Sequence, residues 1–288
     1  LPDFDPNKRE KISDKNFINR ATKGVYEFGS VFKTFTLAAA FDEKMIEPET
    51  EFVDLPKFLT CAGFPIREYD DKIPSSLTAE QILIRSGNIG SVRIGQMLGI
   101  DKLKKFYTDV GILDKIDFDI DEVGSPISFQ WGKCKLATVS FGHGITTTPL
   151  QLAKGYSILS NGGFDIKPTL ILKKGTKERE KRKIIEKDVS VKINNMLRKI
   201  VTSEAGTAGL ANVPGYEVGG KTGTAQKVID GKYSRLKINT FASIFPSSNP
   251  KFILVVLIDE PKTSEDYIYK YRNKSGSYKG TPFNTAGW

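Results

Sequence analysis

Between Phe28 and Phe41 only Ser30, Lys33, Thr34 and Thr36 carry polar side chains. A helix with apolar residues on nearly all sides is a buried one. The segment therefore predicts a core helix, preceded by Gly29 and with Ser30 suited to its N-terminus. Thr78 predicts a second helix start, with Glu80 and Gln81 in its first turn and an end near Ile84. Ser86-Gly87-Asn88 breaks that pattern. Residues 89–110 read as helical again, turning Ile94, Met97 and Leu98 inward, whereas residues 50–75 read as irregular. Thr148-Pro149-Leu150-Gln151 opens a helix with proline in its first turn, ending near Asn161-Gly162-Gly163. Helical pattern returns from Asp188 to Val201. Val218 to Val228, Ile238 to Phe245 and Lys251 to Ile258 then read as three strands. Short turns rich in Gly, Ser and Pro join them, which predicts an antiparallel meander. Helices first and strands last imply an α+β or three-layer domain. Residues 1–24 are polar and read as an extended lead-in.

The chain has 288 residues, 39% of them hydrophobic, and shows no internal repeat. That is enough for a sizeable core in one large domain or two small ones. The longest apolar run, Phe252 to Ile258, is too short to cross a bilayer as a helix. A membrane anchor, if there is one, is expected outside this chain. The chain starts at Leu1 without a signal-peptide pattern and reads as a fragment or processed product.

The net charge of +9 favours anionic partners, or simply a solvated basic surface. Two stretches concentrate it, Lys173 to Lys187 and Pro261 to Gly280. Neither has the spacing of a module that reads RNA or DNA, so no nucleic-acid partner is expected. Cys61 and Cys134 make neither a disulfide framework nor a zinc site, and whether they bridge stays open. His143, the only histidine, excludes a multi-histidine metal centre.

Three short motifs carry candidate chemistry. Ser30-Val31-Phe32-Lys33 puts a serine and a lysine on one helical face. A desolvated, neutral lysine can activate a serine as nucleophile. A helix start also leaves the Ser30 N–H available to an oxyanion. The same spacing recurs at Ser234/Lys237, in a polar hairpin, and at Ser248/Lys251, beside a turn; only Ser30 opens a buried helix. Ser86-Gly87-Asn88 offers a hydroxyl to relay a proton and an amide to hold a carbonyl, or is a plain helix stop. Lys221-Thr222-Gly223-Thr224 lies in a strand. There Gly223 lets a substrate backbone approach and the Thr224 N–H can complete an oxyanion hole. The three motifs follow one another at intervals of 56 and 135 residues, each on the element type its chemistry requires.

A competing pattern overlaps the third motif. Gly215, Gly220, Lys221 and Thr222 match a phosphate-binding loop, and Asp259-Glu260 resembles a magnesium-binding strand end, which together describe a nucleotide hydrolase. The context disagrees. The preceding Leu210 to Pro214 is short and polar, and a strand rather than a helix follows Lys221. A basic binding protein without catalysis is the other reading.

The motifs and their flanks resemble the penicillin-binding proteins, the serine D,D-transpeptidases of peptidoglycan. The resemblance covers nearly the whole chain. It includes Leu1-Pro2-Asp3-Phe4-Asp5-Pro6-Asn7, Asn19-Arg20-Ala21-Thr22, Gly24 to Gly29, Ser140-Phe141-Gly142-His143-Gly144-Ile145 with Thr148 to Gln151, and Glu204-Ala205-Gly206-Thr207-Ala208. Arg67-Glu68-Tyr69-Asp70 and the Gly-His-Gly block resemble the division-type class B members (FtsI type), with the elongation type as near alternative. Class A β-lactamases differ in carrying a Glu-x-x-Leu-Asn loop, which is not found between Asn88 and Lys221. D,D-carboxypeptidases share the motifs but not the flanking blocks.

The resemblance implies an α+β transpeptidase fold of the serine β-lactamase type: an antiparallel sheet with helices on both faces and an all-helical subdomain. Residues 1–288 would form a partial transpeptidase domain lacking N-terminal strands, a C-terminal helix, a pedestal domain and the membrane anchor. Thr281 to Trp288 resembles the lead-in to that helix. Phe252 to Ile258 would then show an open edge and an open face, a liability for aggregation.

The resemblance also implies the roles. Ser30 is the nucleophile, Lys33 its base and Ser86 the proton relay. Asn88 holds the donor peptide. Lys221, Thr222 and Thr224 receive the terminal carboxylate beside Gly223. The N–H groups of Ser30 and Thr224 form the oxyanion hole. Lys33 is expected to be neutral because burial and the nearby charge of Lys221 lower its pKa. Neither a cofactor nor a metal is implied. Implied partners are donor and acceptor stem peptides, β-lactams and membrane proteins of the division complex, at the periplasmic face of the bacterial inner membrane. His143 is expected to be structural, or to stand beside the acceptor.

Overall fold

The structure is a computed structural model that describes residue 7, residues 17–171 and 182–262, and the backbone of 270–273 and 276–279. The family-like segment at Leu1 to Asn7, the core of the basic stretch after Lys173, and Thr281 to Trp288 lie largely outside the described residues.

The apolar segment forms the centre of the molecule. A 3₁₀ turn, Gly29–Phe32, feeds helix α1, Lys33–Asp42. Every residue from Lys33 to Phe41 is buried. Ser30 thus sits inside the tight turn, one step ahead of the helix expected there. The four hydroxyl and ammonium groups of this segment need partners in so dry a place. Thr34 Oγ1 meets the Tyr156 hydroxyl at 3.1 Å. Thr36 Oγ1 donates to the Ser140 carbonyl at 2.9 Å and lies 3.3 Å from the Tyr107 hydroxyl. Burial pushes both tyrosines far above the ordinary phenol value.

Residues 50–75, expected to be irregular, contain short strands. β1 is Glu51–Phe52, and β2, Phe58–Cys61, forms a hairpin with β3, Phe64–Arg67. The turn runs through Ala62 and Gly63, both at positive φ (49° and 82°). β4, Leu77–Thr78, pairs with β1. Thr78 then caps α2, Ala79–Ile84, in a reciprocal box with Gln81, as the start signal implied. α3 runs from Asn88 to Asp109. Ile94 and Leu98 point inward as expected, but Met97 does not; it is 44% exposed. Gly99, at φ +76°, kinks the helix there. α4, Lys133–Val139, was not anticipated. α5, Pro149–Ser160, starts at a second capping box, Thr148 with Gln151, and α6 spans Lys187–Thr202.

Cys61 and Cys134 form a disulfide. It ties the tip of the β2–β3 hairpin to the first turn of α4.

The three expected strands are β5, Gly219–Ile229, β6, Lys232–Phe245, and β7, Phe252–Asp259, in an antiparallel sheet of that order. A further hairpin, β8 (Lys270–Asn273) with β9 (Gly276–Lys279), follows. α6 packs on β5, and α5 on β6 and β7. Along β7, Ile253, Val255 and Leu257 pack against the core. The alternate residues Phe252, Leu254, Val256 and Ile258 are 61%, 48%, 42% and 50% exposed. Among the described residues β7 pairs only with β6.

Candidate active site

The site begins with two backbones in contact. A methyl group on Gly223 would stand 2.1 Å from the Phe28 carbonyl oxygen, and one on Gly29 would stand 2.2 Å from the Thr224 carbonyl oxygen. Only glycine fits at either place, and Gly29 is at φ +63° besides. This seam holds β5 against the turn that carries Ser30. At Gly223 the chain's own Phe28 carbonyl fills the place of a side chain, and the residue also lines the cleft. Gly142 completes the arrangement: a methyl there would meet the Gly29 carbonyl at 1.9 Å.

A cleft of about 1290 Å³ opens over the seam. Ser30, Ser86, Asn88, Thr222, Gly223 and Thr224 all line it. Lys33 and Lys221 do not; both are fully buried behind its floor. Their ammonium groups converge on one hydroxyl. Lys33 Nζ donates to Ser86 Oγ at 3.1 Å and Lys221 Nζ at 2.8 Å. Lys33 also donates to the Ser86 carbonyl and, at 2.7 Å, to Asn88 Oδ1. Lys221 also donates to the Thr222 carbonyl at 2.9 Å. Ser86 holds its place at φ +57°, a conformation that costs a residue with a Cβ roughly 1–2 kcal/mol.

Burial pushes Lys33 down to about 7, against the opposing pull of the Glu68 carboxylate. Burial, with the Lys33 charge added, holds Lys221 well below the ordinary lysine value. Burial and a neighbouring like charge both disfavour the charged form of an ammonium group. Of the two causes expected to lower Lys33, burial acts on it, whereas the repulsion between the lysines is felt at Lys221. Lys221, grouped with Thr222 and Thr224 as a carboxylate receiver, is buried with its ammonium on the Thr222 carbonyl.

Other cleft residues come from the flanking blocks rather than the three motifs. Thr207 Oγ1 lies 2.8 Å from Thr222 Oγ1. Glu27 accepts the Gly144 N–H at 2.9 Å and the Tyr233 hydroxyl at 3.0 Å. His143 is stacked between Phe141 and Tyr233, with ring centroids 6.0 and 4.5 Å away. Burial lowers its pKa; Glu27 opposes the shift and Lys135 adds to it. The only sequence signal for Glu27, Phe141, His143, Gly144 and Thr207 was their place in the blocks quoted above, and Tyr233 and Lys135 had none.

The phosphate-loop reading does not survive the geometry. Gly220, Lys221 and Thr222 lie inside β5, with no helix after them. Asp259 and Glu260 both pair with Lys227, at 2.9 and 2.5 Å.

A buried helix presenting Ser-x-x-Lys, a Ser-x-Asn turn and a Lys-Thr-Gly strand around one cleft define the penicilloyl-serine class of architecture. A family model described as "Penicillin binding protein transpeptidase domain" matches residues 1–282, and the chain belongs to that family. It is 30% identical to the probable peptidoglycan D,D-transpeptidase FtsI of Caulobacter vibrioides, over all of this chain and 48% of that protein. It is 32% identical to the probable peptidoglycan D,D-transpeptidase PenA of Neisseria flavescens, over 92% of this chain and 66% of that protein. The chain thus spans about half to two thirds of the length of these relatives. The apo transpeptidase domain of Burkholderia pseudomallei penicillin-binding protein 3 superposes with a TM-score of 0.79 at 27% identity, covering 84% of this chain and 74% of that one. No described helix is long and apolar enough to cross a membrane.

Proposed function

We propose that this chain is the catalytic part of a peptidoglycan D,D-transpeptidase that cross-links stem peptides in septal wall synthesis, and that it is acylated by β-lactams. The observation that carries the reading is the meeting of Lys33 and Lys221 on the Ser86 hydroxyl beneath the cleft that holds Ser30 and Thr224. Lys33, pushed down to about 7, is a base matched to neutral pH. It takes the Ser30 proton as Ser30 Oγ attacks the carbonyl between the two terminal D-alanines. The N–H groups of Ser30 and Thr224 receive the oxyanion; one such donor is worth about 3–4 kcal/mol. Ser86, in contact with both lysines, returns a proton to the departing D-alanine amine. The C–N bond breaks and the acyl group stays on Ser30.

Asn88 orients the donor peptide. Thr222 and Thr224 take its terminal carboxylate, with Lys221 contributing from behind Thr222. An acceptor amine then attacks the acyl-Ser30 ester, forms the cross-link and frees the serine. The names of the relatives support the division-type role over the elongation type. The same reading makes membrane proteins of the division complex its partners and the outer face of the bacterial inner membrane its location.

The test is covalent labelling by a fluorescent penicillin, read after denaturation. Labelling that disappears in Ser30→Ala supports the reading, and slow loss of label distinguishes a transpeptidase from a β-lactamase. Folded wild-type protein that takes no label overturns it.

A further inference from the structure

We infer that Glu68 is a positioning residue for the acylation step, holding Asn88 in place against Lys33 by gripping the N-terminus of α3. The inference rests on the acyl-serine reading above. Glu68 does not line the cleft, so it acts through what it holds.

The first N–H groups of any helix have no partner within the helix. In α3 the residue at the N-cap is Gly87, which has no side chain to supply one. Glu68 supplies it from twenty residues upstream. Its Oε2 accepts the Asn88 N–H at 2.5 Å and its Oε1 accepts the Ile89 N–H at 2.9 Å. The adjacent Arg67 carbonyl accepts Asn88 Nδ2 at 2.7 Å. Asn88 is therefore held at its backbone by one residue and at its amide by the next. Its remaining oxygen, Oδ1, receives Lys33 Nζ. This contact fixes which end of the amide faces the lysine and which faces β3.

The grip stands on a rigid support. Glu68 follows directly on β3, and the tip of the β2–β3 hairpin is bound to α4 by the Cys61–Cys134 disulfide. α4 in turn packs on α3. The hairpin that carries Glu68 and the helix that it caps are thus tied together at both ends.

The carboxylate also acts on the base electrostatically. The charged group that acts on Lys33 is Glu68, and Lys33 in turn acts on Lys221. The charges around the neighbouring Tyr69 are Glu68, Asp70 and Arg85, and the Tyr69 hydroxyl is committed to the Arg85 carbonyl. Of these, Glu68 is the anion that favours a protonated Lys33. A purely structural cap has no such effect on the base.

The experiment measures the second-order rate constant for acylation by a fluorescent penicillin against pH, for the 288-residue chain and for Glu68→Gln and Glu68→Asp, each normalised to folded protein by near-ultraviolet circular dichroism. Glu68→Gln is expected to lower the plateau, by up to roughly 100-fold if Asn88 is displaced, and to move the acid limb to lower pH, because the anion that retains the Lys33 proton is gone. Glu68→Asp is expected to keep the wild-type limb and recover part of the plateau. A Glu68→Gln profile identical to wild type in plateau and limb overturns the inference. So does a lowered plateau with an unmoved limb that Glu68→Asp does not improve, since that is what a purely structural cap gives. If Glu68→Gln does not fold, Glu68→Asp alone decides: a partial plateau on the wild-type limb supports positioning, and a full plateau overturns it. Failure of the underlying reading looks different, because then the folded wild-type chain takes no label or Ser30→Ala keeps it.

Discussion

The two edges of the three-stranded sheet are built on opposite principles. At β5, small residues bring backbone against backbone; Gly223 and Gly29 leave no room for a methyl group, and Lys221 is fully buried. At β7, large side chains line one face and meet no other layer among the described residues; Phe252, Leu254, Val256 and Ile258 are each at least 42% exposed. The strands lie one β6 apart and share its hydrogen-bond ladder. β5 spends its sequence on precise placement and β7 on apolar area. Substitutions at the two edges should therefore affect different measurements.

The largest effect belongs to the β5 side. Ser30→Ala is expected to abolish penicillin labelling while leaving the melting temperature near that of wild type. Gly223→Ala comes next. Its methyl group meets the Phe28 carbonyl, so the seam must open, and acylation should fall by roughly 100-fold or more. The matched control is Val256→Ala on β7, expected to leave the acylation rate unchanged. If both variants label alike, the contrast between the edges is wrong.

A pH series sharpens the same comparison. Lys33 must be neutral to act and its pKa is about 7. Acylation should therefore fall roughly tenfold per pH unit on the acid side of that value and level off above it. The stability effect has its own sign. Lys33 titrates near 7 when folded and at 10.5 when unfolded. Between those values the unfolded chain binds the extra proton, so the lysine's contribution to stability rises with pH. The burden of burying it is complete at and below about 7. Lys33→Met should abolish labelling yet raise the melting temperature by a few degrees at neutral pH, an advantage that shrinks as pH rises towards 10.5. Differential scanning calorimetry across that range checks it.

The smallest kinetic effect is expected at the open edge. Val256→Lys with Ile258→Lys should reduce concentration-dependent association seen by light scattering and leave the labelling rate where it was.

What was legible in the sequence follows from how local each signal is. Thr78 with Gln81 and Thr148 with Gln151 are capping boxes whose partners lie three residues apart, so both helix starts could be read. The buried segment at Phe28 to Phe41 declared itself by having no polar face. The β2–β3 hairpin did not, because its strands are only four residues long and only Leu59, Cys61 and Ile66 face the core, too short a run to declare an alternation. Met97 was misplaced because it falls beside the buried stripe of Ser91, Ile94, Gly95 and Leu98 rather than within it. In the site, Ser30, Lys33, Ser86, Asn88 and the Lys221 to Thr224 run were found from their spacing. The hold of Glu68 on Asn88, the disulfide, and the withdrawal of Lys221 beneath Thr222 are tertiary facts that no short spacing encodes.

The central helix has one further consequence. A cylinder greasy on every side gains nearly the same burial at any angle about its own axis, so oiliness alone leaves it free to spin in its socket. Thr34 against Tyr156 and Thr36 against Tyr107 and Ser140 act as keys in keyways. They fix a single azimuth. The direction in which Ser30 faces is thus set by two threonines that project to nearly opposite sides of the shaft and do not line the cleft.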